Sequence, residues 1–538
     1  MIREGKIWFA NNAEGTPIYL LPKMSNRHGL VAGATGTGKT VTLKVLAETF
    51  SEMGVPVFMA DVKGDIVSMM KPGVDSEDMQ ARIERFGLAQ YGFQYQGYPV
   101  QIWDIYGKTG IPLRTTISQM GPLLLSRILG LNDLQTDILT IVFKIADDNN
   151  LLLIDTKDLK SMLAYVDAHS ADFVQEYGKV SSASIGVITR AIVALEMDGG
   201  DVFFGEPDLQ VTDWLGLGAG GNGMINILDS ASLINSGKLY STFLLWLLSE
   251  LFETLPEVGD LDKPKMIFFF DEAHLLFNDA PKVLLDKVEM MVKLIRSKGV
   301  GVYFCTQNPR DVPDGVLAQL NNKIQHGLRA YTPADQKAVR AAAEAFRENP
   351  AFDTYETILA LGTGEAVIST LGEDGIPCVA EKGFVLPPKS LMGTVTADEC
   401  DAAVKGSLMY SKYAQAVDNQ SAYEELAARA EAEEAAAAQA KADAEAAKQA
   451  EKDRIAAEKA KEKEEAAAAK AEAAAKAKEE RERKQAYKSV GNSVAGTVGR
   501  EVGKTVGGTF GKFGRTLGGN LGASIGRGIM GTLFRIKK

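Results

Sequence analysis

Eight residues near the start of the chain, Gly33-Ala34-Thr35-Gly36-Thr37-Gly38-Lys39-Thr40, fit the pattern GxxxxGK[ST] in full and lie between two apolar runs. No other feature constrains the fold as strongly, because the pattern works only where a strand ends, a loop turns tightly and a helix begins. His28-Gly-Leu-Val-Ala-Gly33 reads as a short buried strand, and Val41-Thr-Leu-Lys-Val-Leu-Ala47 opens a helix. Glycines at 33, 36 and 38 let the backbone wrap an anion with its N–H groups, while the helix N-terminus adds a favourable dipole. In such a cradle Lys39 reaches the β- and γ-phosphates of ATP and the Thr40 hydroxyl holds Mg²⁺. The expected nucleotide-binding residues are therefore Gly33, Ala34, Thr35, Gly36, Thr37, Gly38, Lys39, Thr40 and Val41.

At 538 residues and 46% hydrophobic content, the chain can build two or three ordinary domains with a sizeable core. Three widely spaced cysteines, Cys305, Cys378 and Cys400, suggest neither a disulfide framework nor a metal-ligand cluster. A reducing, cytoplasmic setting is the simplest reading. The segment Met1-Ile-Arg-Glu-Gly lacks the basic flank and apolar core of a secretory signal, and no apolar run reaches the length of a membrane span. The net charge of −11 argues against nonspecific adhesion of the whole chain to nucleic acid. It hides an asymmetry: residues 488–538 carry nine Lys or Arg and one acidic residue, Glu501. That tail implies an anionic neighbour, whether a lipid surface at the inner face of the membrane, nucleic acid or an acidic partner; a solvated basic tail is the bland alternative.

Short apolar runs separated by helical stretches indicate an α/β fold with a mainly parallel sheet. Lys6-Ile-Trp-Phe-Ala10 and Pro17-Ile-Tyr-Leu-Leu21 form a hairpin leading to the first strand of that sheet, and Val55-Pro-Val-Phe-Met-Ala-Asp61 is a second strand ending in a carboxylate. Residues 65–220 read as a mainly helical insertion. The core resumes at 221–390 with strands at Met224–Asp229, Lys265–Asp271, Gly301–Thr306, Lys323–Arg329 and Glu365–Ser369, and the amphipathic stretch Pro281–Ser297 reads as a helix. Residues 1–64 and 221–390 thus form one nucleotide-binding core, followed by a connecting segment over 391–422.

From 423 to 487 the composition turns to Ala, Glu and Lys, strong helix formers with interspersed opposite charges. A long solvated helix is expected, extending on the order of 90 Å at 1.5 Å per residue. Its apolar seam is alanine, so a coiled coil with Leu or Ile at the a and d positions is poorly supported. The tail beyond it has glycine every fourth residue, at 499, 503, 507 and 511 and again at 514, 518, 522 and 526. Such spacing permits close helix approach, yet glycine costs about 1 kcal/mol per helical position in water. Membrane-surface association, self-association and a flexible tail all remain open for it.

Ile267-Phe-Phe-Phe-Asp271-Glu272 is an apolar strand ending in two carboxylates, similar to a Walker B motif. A parallel sheet brings that strand end beside the P-loop, where Asp271 can order Mg²⁺ and Glu272 can polarise the attacking water as general base. Asp271-Glu-Ala-His274 also spells a helicase tetrapeptide, which is weak evidence alone; His274 lacks partners at ligand spacing and reads as structural or coupling. Thr306-Gln307 ends the following strand and puts an amide near the γ-phosphate or water. Arg296 lies at the opposite end of that strand, out of reach of its own nucleotide but placed for a neighbour's, as an arginine finger in trans is. The alternative role for Arg296 is a cation satisfying a helix C-terminus. Arg329 is a second candidate with the same alternative.

Together these residues resemble the HerA/FtsK family of ring-forming P-loop ATPases. The matching pieces are Gly33 to Thr40, Asp61-Val-Lys-Gly-Asp65, Asp271-Glu272, Arg296 to Gly299, and Thr306-Gln307-Asn-Pro309 followed by Asp311-Val-Pro-Asp314. The resemblance covers about residues 1–390 and is closest to a bacterial HerA-like group. It implies a RecA-like core, assembly as a homo-hexamer, nucleotide bound between subunits, and DNA translocation or unwinding. Only Met1 to Ala32 precede the P-loop, which leaves no room for the N-terminal barrel of HerA proper. Catalytic roles are expected for Glu272, Lys39, Gln307 and Arg296, with Thr40 and Asp271 as Mg²⁺ ligands. A motor at a membrane acting on a protein substrate, or a nucleotide-gated scaffold, are the other readings.

Overall fold

The computed structural model describes residues 1–231, 233, 237–277 and 282–488. The basic glycine-period tail, and with it the expected anionic membrane surface, lies outside the described residues, as do Pro281 and its neighbours at the start of one expected helix. The chain forms two units, residues 1–434 and 435–538.

The first unit is built on one sheet. Its strands are β1 (Ile2–Arg3), β2 (Lys6–Asn12), β3 (Pro17–Leu20), β4 (Gly29–Ala32), β5 (Val57–Asp61), β6 (Val100–Asp104), β7 (Ile111–Pro112), β8 (Ile225–Asp229), β9 (Met266–Phe270), β10 (Val300–Thr306), β11 (Asn322–His326), β12 (Glu365–Ser369) and β13 (Glu381–Val385). The spatial order is β1-β2-β13-β12-β11-β4-β10-β9-β5-β8-β6-β7, with β3 paired to β2. From β11 to β7 every pairing is parallel, and β12, β13, β2 and β1 extend the sheet antiparallel. All residues of β4, β5, β9 and β10 are buried. That is why Met266-Ile-Phe-Phe-Phe270 is uniformly apolar instead of alternating: a parallel strand covered on both faces has no solvent side. The fold is thus α/β with a RecA-like P-loop core and a long C-terminal helix.

Two details depart from the sequence reading. First, β9 is not the direct neighbour of β4, because β10 is inserted between them, pairing Thr306 with Ala32 and Phe304 with Phe270. Sequence order carries no signal for that crossover. Second, the stretch 65–220 is mainly helical but also supplies β6 and β7, and β6 extends the central sheet beside β8. Val100-Gln-Ile-Trp-Asp104 is short and only weakly patterned, so the boundary drawn at residue 64 runs through the sheet.

The segment 391–422 carries the helices Ala397–Lys405 and Leu408–Tyr413. Tyr413 is fully buried, edge-on to Trp103, and its carbonyl accepts from Arg114 Nη1 at 2.7 Å. The long helix Ala422–Lys488 is rooted through Asp158, whose Oδ1 accepts from the Ser421 hydroxyl at 2.5 Å and the Tyr423 N–H at 2.9 Å. From Glu431 to Glu482 every residue is exposed, as expected for an alanine seam stabilised locally by pairs such as Lys476–Glu472.

Candidate nucleotide site

The carboxyl ends of β4, β10, β9, β5 and β11 lie side by side in the sheet and carry the chemistry. The P-loop leaves β4 and turns directly into the helix Lys39–Glu52. Gly38 has a left-handed backbone at φ 110°, and a Cβ there would come within 3.1 Å of the Gly364 nitrogen, so glycine is required on two counts. Two loop amides fix the loop itself: Gly33 N–H donates to Thr306 O at 3.2 Å and Ala34 N–H to Gly327 O at 2.9 Å. The first N–H groups of the following helix have no intrahelical acceptor and are available to an anion. Lys39 is 7% exposed, and its ammonium donates to the carbonyls of Gly33 at 2.6 Å and Ala34 at 3.1 Å, held across the mouth of the loop.

Asp271 follows β9 directly and is buried. Burial pushes its carboxyl up, with the adjacent Glu272 charge adding to the rise. No described Lys or Arg forms an ion pair with it. A buried carboxylate of this kind fits a divalent cation, which offsets the cost of its charge.

Glu272 is buried as well and has φ of 48°, one of four non-glycine residues described in that region. A left-handed conformation costs such a residue about 1–2 kcal/mol, and outliers of this kind concentrate at functional sites. Its two carboxylate oxygens accept from Gln307 Nε2 at 3.3 Å each, and His274 Nδ1 stands 3.3 Å from Oε2. The structure therefore brings together Glu272, Gln307 and His274 at the ends of adjacent strands. Thr306, the last residue of β10, ties its hydroxyl to Asp311 Oδ2 at 2.9 Å and so anchors the turn that presents Gln307.

Arg296 is not part of this group. It begins the turn Arg296–Lys298 before β10, at the strand's amino end, and its Nη2 lies 3.5 Å from Asp260 Oδ1 with both side chains well exposed. Arg329, by contrast, follows β11 on the P-loop side of the sheet, is exposed, and forms no ion pair with a described residue.

Three supports were missed in the sequence. His326 ends β11, is fully buried, and bridges Thr42 Oγ1 at 2.9 Å and Glu365 O at 2.8 Å; burial lowers its pKa to about 4, so it is neutral. Lys44 and Glu48 are buried on the P-loop helix. Lys44 donates to Ser68 Oγ and Leu391 O, both at 2.7 Å, and Glu48 accepts from the amides of Lys389 at 2.8 Å and Ser390 at 3.0 Å. Burial pushes the Lys44 pKa down and the Glu48 pKa up. Charged residues four apart inside an apolar helix were the available signal. Asp61 is similarly used up: its carboxylate accepts four amides, from Lys63, Gly64, Ile66 and Val67, and burial raises it to about 6.

Residues 7–516 match the family described as Helicase HerA-like C-terminal. Among curated relatives, the DNA double-strand break repair helicase HerA of Sulfurisphaera tokodaii is 22% identical over 354 residues, 64% of this chain and 62% of that protein. A probable helicase of Methanocaldococcus jannaschii is 30% identical over 146 residues, 26% of each chain. The matched part thus spans less than two thirds of either relative. Among solved structures, the plasmid coupling protein TrwB in complex with a non-hydrolysable ATP analogue aligns over 70% of this chain and 88% of its own at 18% identity and a TM-score of 0.48. VirB4 of Thermoanaerobacter pseudethanolicus aligns over 72% and 98% at 15% identity and a TM-score of 0.42. With the family pattern running over nearly its whole length, the chain belongs to the HerA-like helicase C-terminal family.

Proposed function

We propose that this protein is a Mg²⁺-dependent ATPase that works as a homo-hexameric motor on DNA. One observation carries the hydrolytic part: a buried Glu272 carboxylate held at 3.3 Å by the Gln307 amide, on the strand end next to Asp271. The P-loop amides and Lys39 bind and orient the phosphate chain. Thr40 and Asp271 would hold Mg²⁺, which would supply positive charge to the phosphate chain when bound. Glu272 accepts the proton of the attacking water, a role worth roughly 10²–10⁴-fold in rate, while Gln307 fixes the orientation of that carboxylate. Arg296 contributes transition-state charge from a neighbouring subunit.

DNA as the polymer rests on family membership and on the DNA repair helicase named among the relatives. ATP turnover of the purified full chain, with and without duplex and single-stranded DNA, tests both parts. Glu272→Gln is expected to abolish turnover while leaving Mg-ATP binding intact, and DNA to stimulate the native protein in a salt-dependent manner. Unchanged turnover in Glu272→Gln would leave a nucleotide-gated scaffold; turnover indifferent to DNA would remove the polymer.

A second reading, carried by the net charge of residues 488–538, is a cytoplasmic motor held peripherally at an anionic membrane surface. Among the described residues no single helix is long and apolar enough to cross a membrane. Co-sedimentation with anionic vesicles, compared between the full chain and one ending at residue 487, decides it: equal partitioning removes the reading.

A further inference from the structure

Across the P-loop from β10, the loop is clasped by the antiparallel extension of the sheet. Gly364 N–H donates to Thr37 O at 2.9 Å, and Gly364 O accepts from Val385 N–H at 2.9 Å. The amides of a phosphate loop point inward at the anion, so a partner bonded to the Thr37 carbonyl sits on the outer side of the loop. On that outer side stands Arg82, in the last turn of the helix Glu77–Arg85. A Cβ placed on Gly364 would be 3.2 Å from Arg82 Nη1 and 3.6 Å from Nη2, and one on Gly38 would be 3.2 Å from Gly364 Cα. The guanidinium therefore rests against a glycine that itself rests against the P-loop. Neither glycine carries a side chain to fill the space.

Arg82 is half-buried and forms no ion pair with any described residue. The neighbouring cations are already engaged: Lys382 pairs with Glu365 at 3.0 Å, and the Arg85 guanidinium lies over the Phe384 ring at 3.8 Å. The Arg82 guanidinium is thus a planar cation with no hydrogen bond to a described residue, placed against Gly364 beside the P-loop.

Resting on the ATPase reading above, we infer that Arg82 and the Gly364 backbone form the nucleoside subsite in the same subunit. As the nucleotide leaves the phosphate cradle on this side, the guanidinium plane stacks on the base and its N–H groups reach the ribose hydroxyls. Guanidinium is suited to both, being weakly hydrated, planar and rich in donors. Arg82 is a different residue from Lys39, Arg296 and Arg329, to which the phosphate and trans roles are assigned above.

The test compares Mg-ATP with Mg-tripolyphosphate, which keeps the phosphate chain and lacks the nucleoside, by calorimetry on the full-length protein. Arg82→Ala is expected to weaken Mg-ATP by about tenfold and to leave tripolyphosphate binding unchanged, which also shows that the variant is folded. Arg82→Lys, which keeps the charge without the plane, is expected to restore less than half of the loss on a logarithmic scale. Unchanged Mg-ATP affinity in Arg82→Ala, an equal fall for both ligands, or full rescue by lysine overturns the inference. Failure of the native chain to bind Mg-ATP at all would instead strike the ATPase reading on which it rests.

Discussion

The two ends of β10 carry opposite kinds of site. At the carboxyl end, beside β4 and β9, Lys39, Asp271 and Glu272 are each less than 9% exposed and Gln307 is bonded to Glu272. At the amino end, the Arg296 side chain is 40% exposed and pairs at 3.5 Å with Asp260, whose side chain is 63% exposed. The first arrangement is preorganised: its charges are out of water, where electrostatic contacts are strong and need little reorganisation. The second is a loose surface pair. Under the function proposed above, the carboxyl end would supply the water-activating half of a hydrolysis site and the amino end would face a neighbouring subunit.

The sharpest way to break the contrast is Arg296→Ala. A surface arginine with a weak partner leaves folding nearly untouched, yet a finger acting in trans costs roughly 10³-fold in kcat. Steady-state ATP turnover with unchanged Tm is the expected pair of results. If Arg329→Ala shows the loss and Arg296→Ala does not, the finger comes from the P-loop side of the sheet.

Buried histidines mark both ends of the P-loop strand and sharpen the comparison in a second way. His28 precedes β4 and its Nδ1 accepts from Val302 N–H at 3.1 Å, while His326 lies beside the strand's carboxyl end. Burial lowers each to about 4 from the ordinary 6.5. As pH falls the unfolded chain takes up these protons first. The stability they contribute is complete above pH 6.5 and is lost as pH falls through 4, roughly 3 kcal/mol for each histidine. Urea unfolding at pH 7 and pH 5 is expected to show the loss, and His326→Gln to reduce its slope; a flat profile contradicts the buried neutral assignment.

Gln307→Ala removes the donor to Glu272 but not the carboxylate. A hydrogen bond to a charged group is worth about 2 kcal/mol, so kcat is expected to fall roughly thirtyfold with nucleotide affinity unchanged. An unchanged kcat would show that the Glu272 orientation does not depend on it. The smallest effect is expected for Asp260→Ala, within about 0.5 kcal/mol of native stability, because exposed pairs contribute little.

Much of this site was legible because its residues sit at strand ends within local motifs. Gly33 to Thr40, Asp271-Glu272 and Thr306-Gln307 each announce themselves over a few positions, and the loop, strand and helix context follows from apolar runs. The parts that were not legible join distant segments. Lys44 meets Leu391, Glu48 meets Ser390, His326 meets Thr42 and Arg82 approaches Gly364, and each pair joins segments distant in sequence. The insertion of β10 between β4 and β9 is of the same kind, since strand order depends on which crossovers pack together.

The most direct test of the divided site is complementation between two inactive chains. Glu272→Gln keeps Arg296, and Arg296→Ala keeps Glu272, so when the two are co-expressed in one oligomer some interfaces regain both groups. Recovery of ATP turnover in the mixed assembly, well above the sum of the two variants alone, is the expected result. Mixed oligomers that form but stay inactive at every ratio would contradict a site shared between subunits.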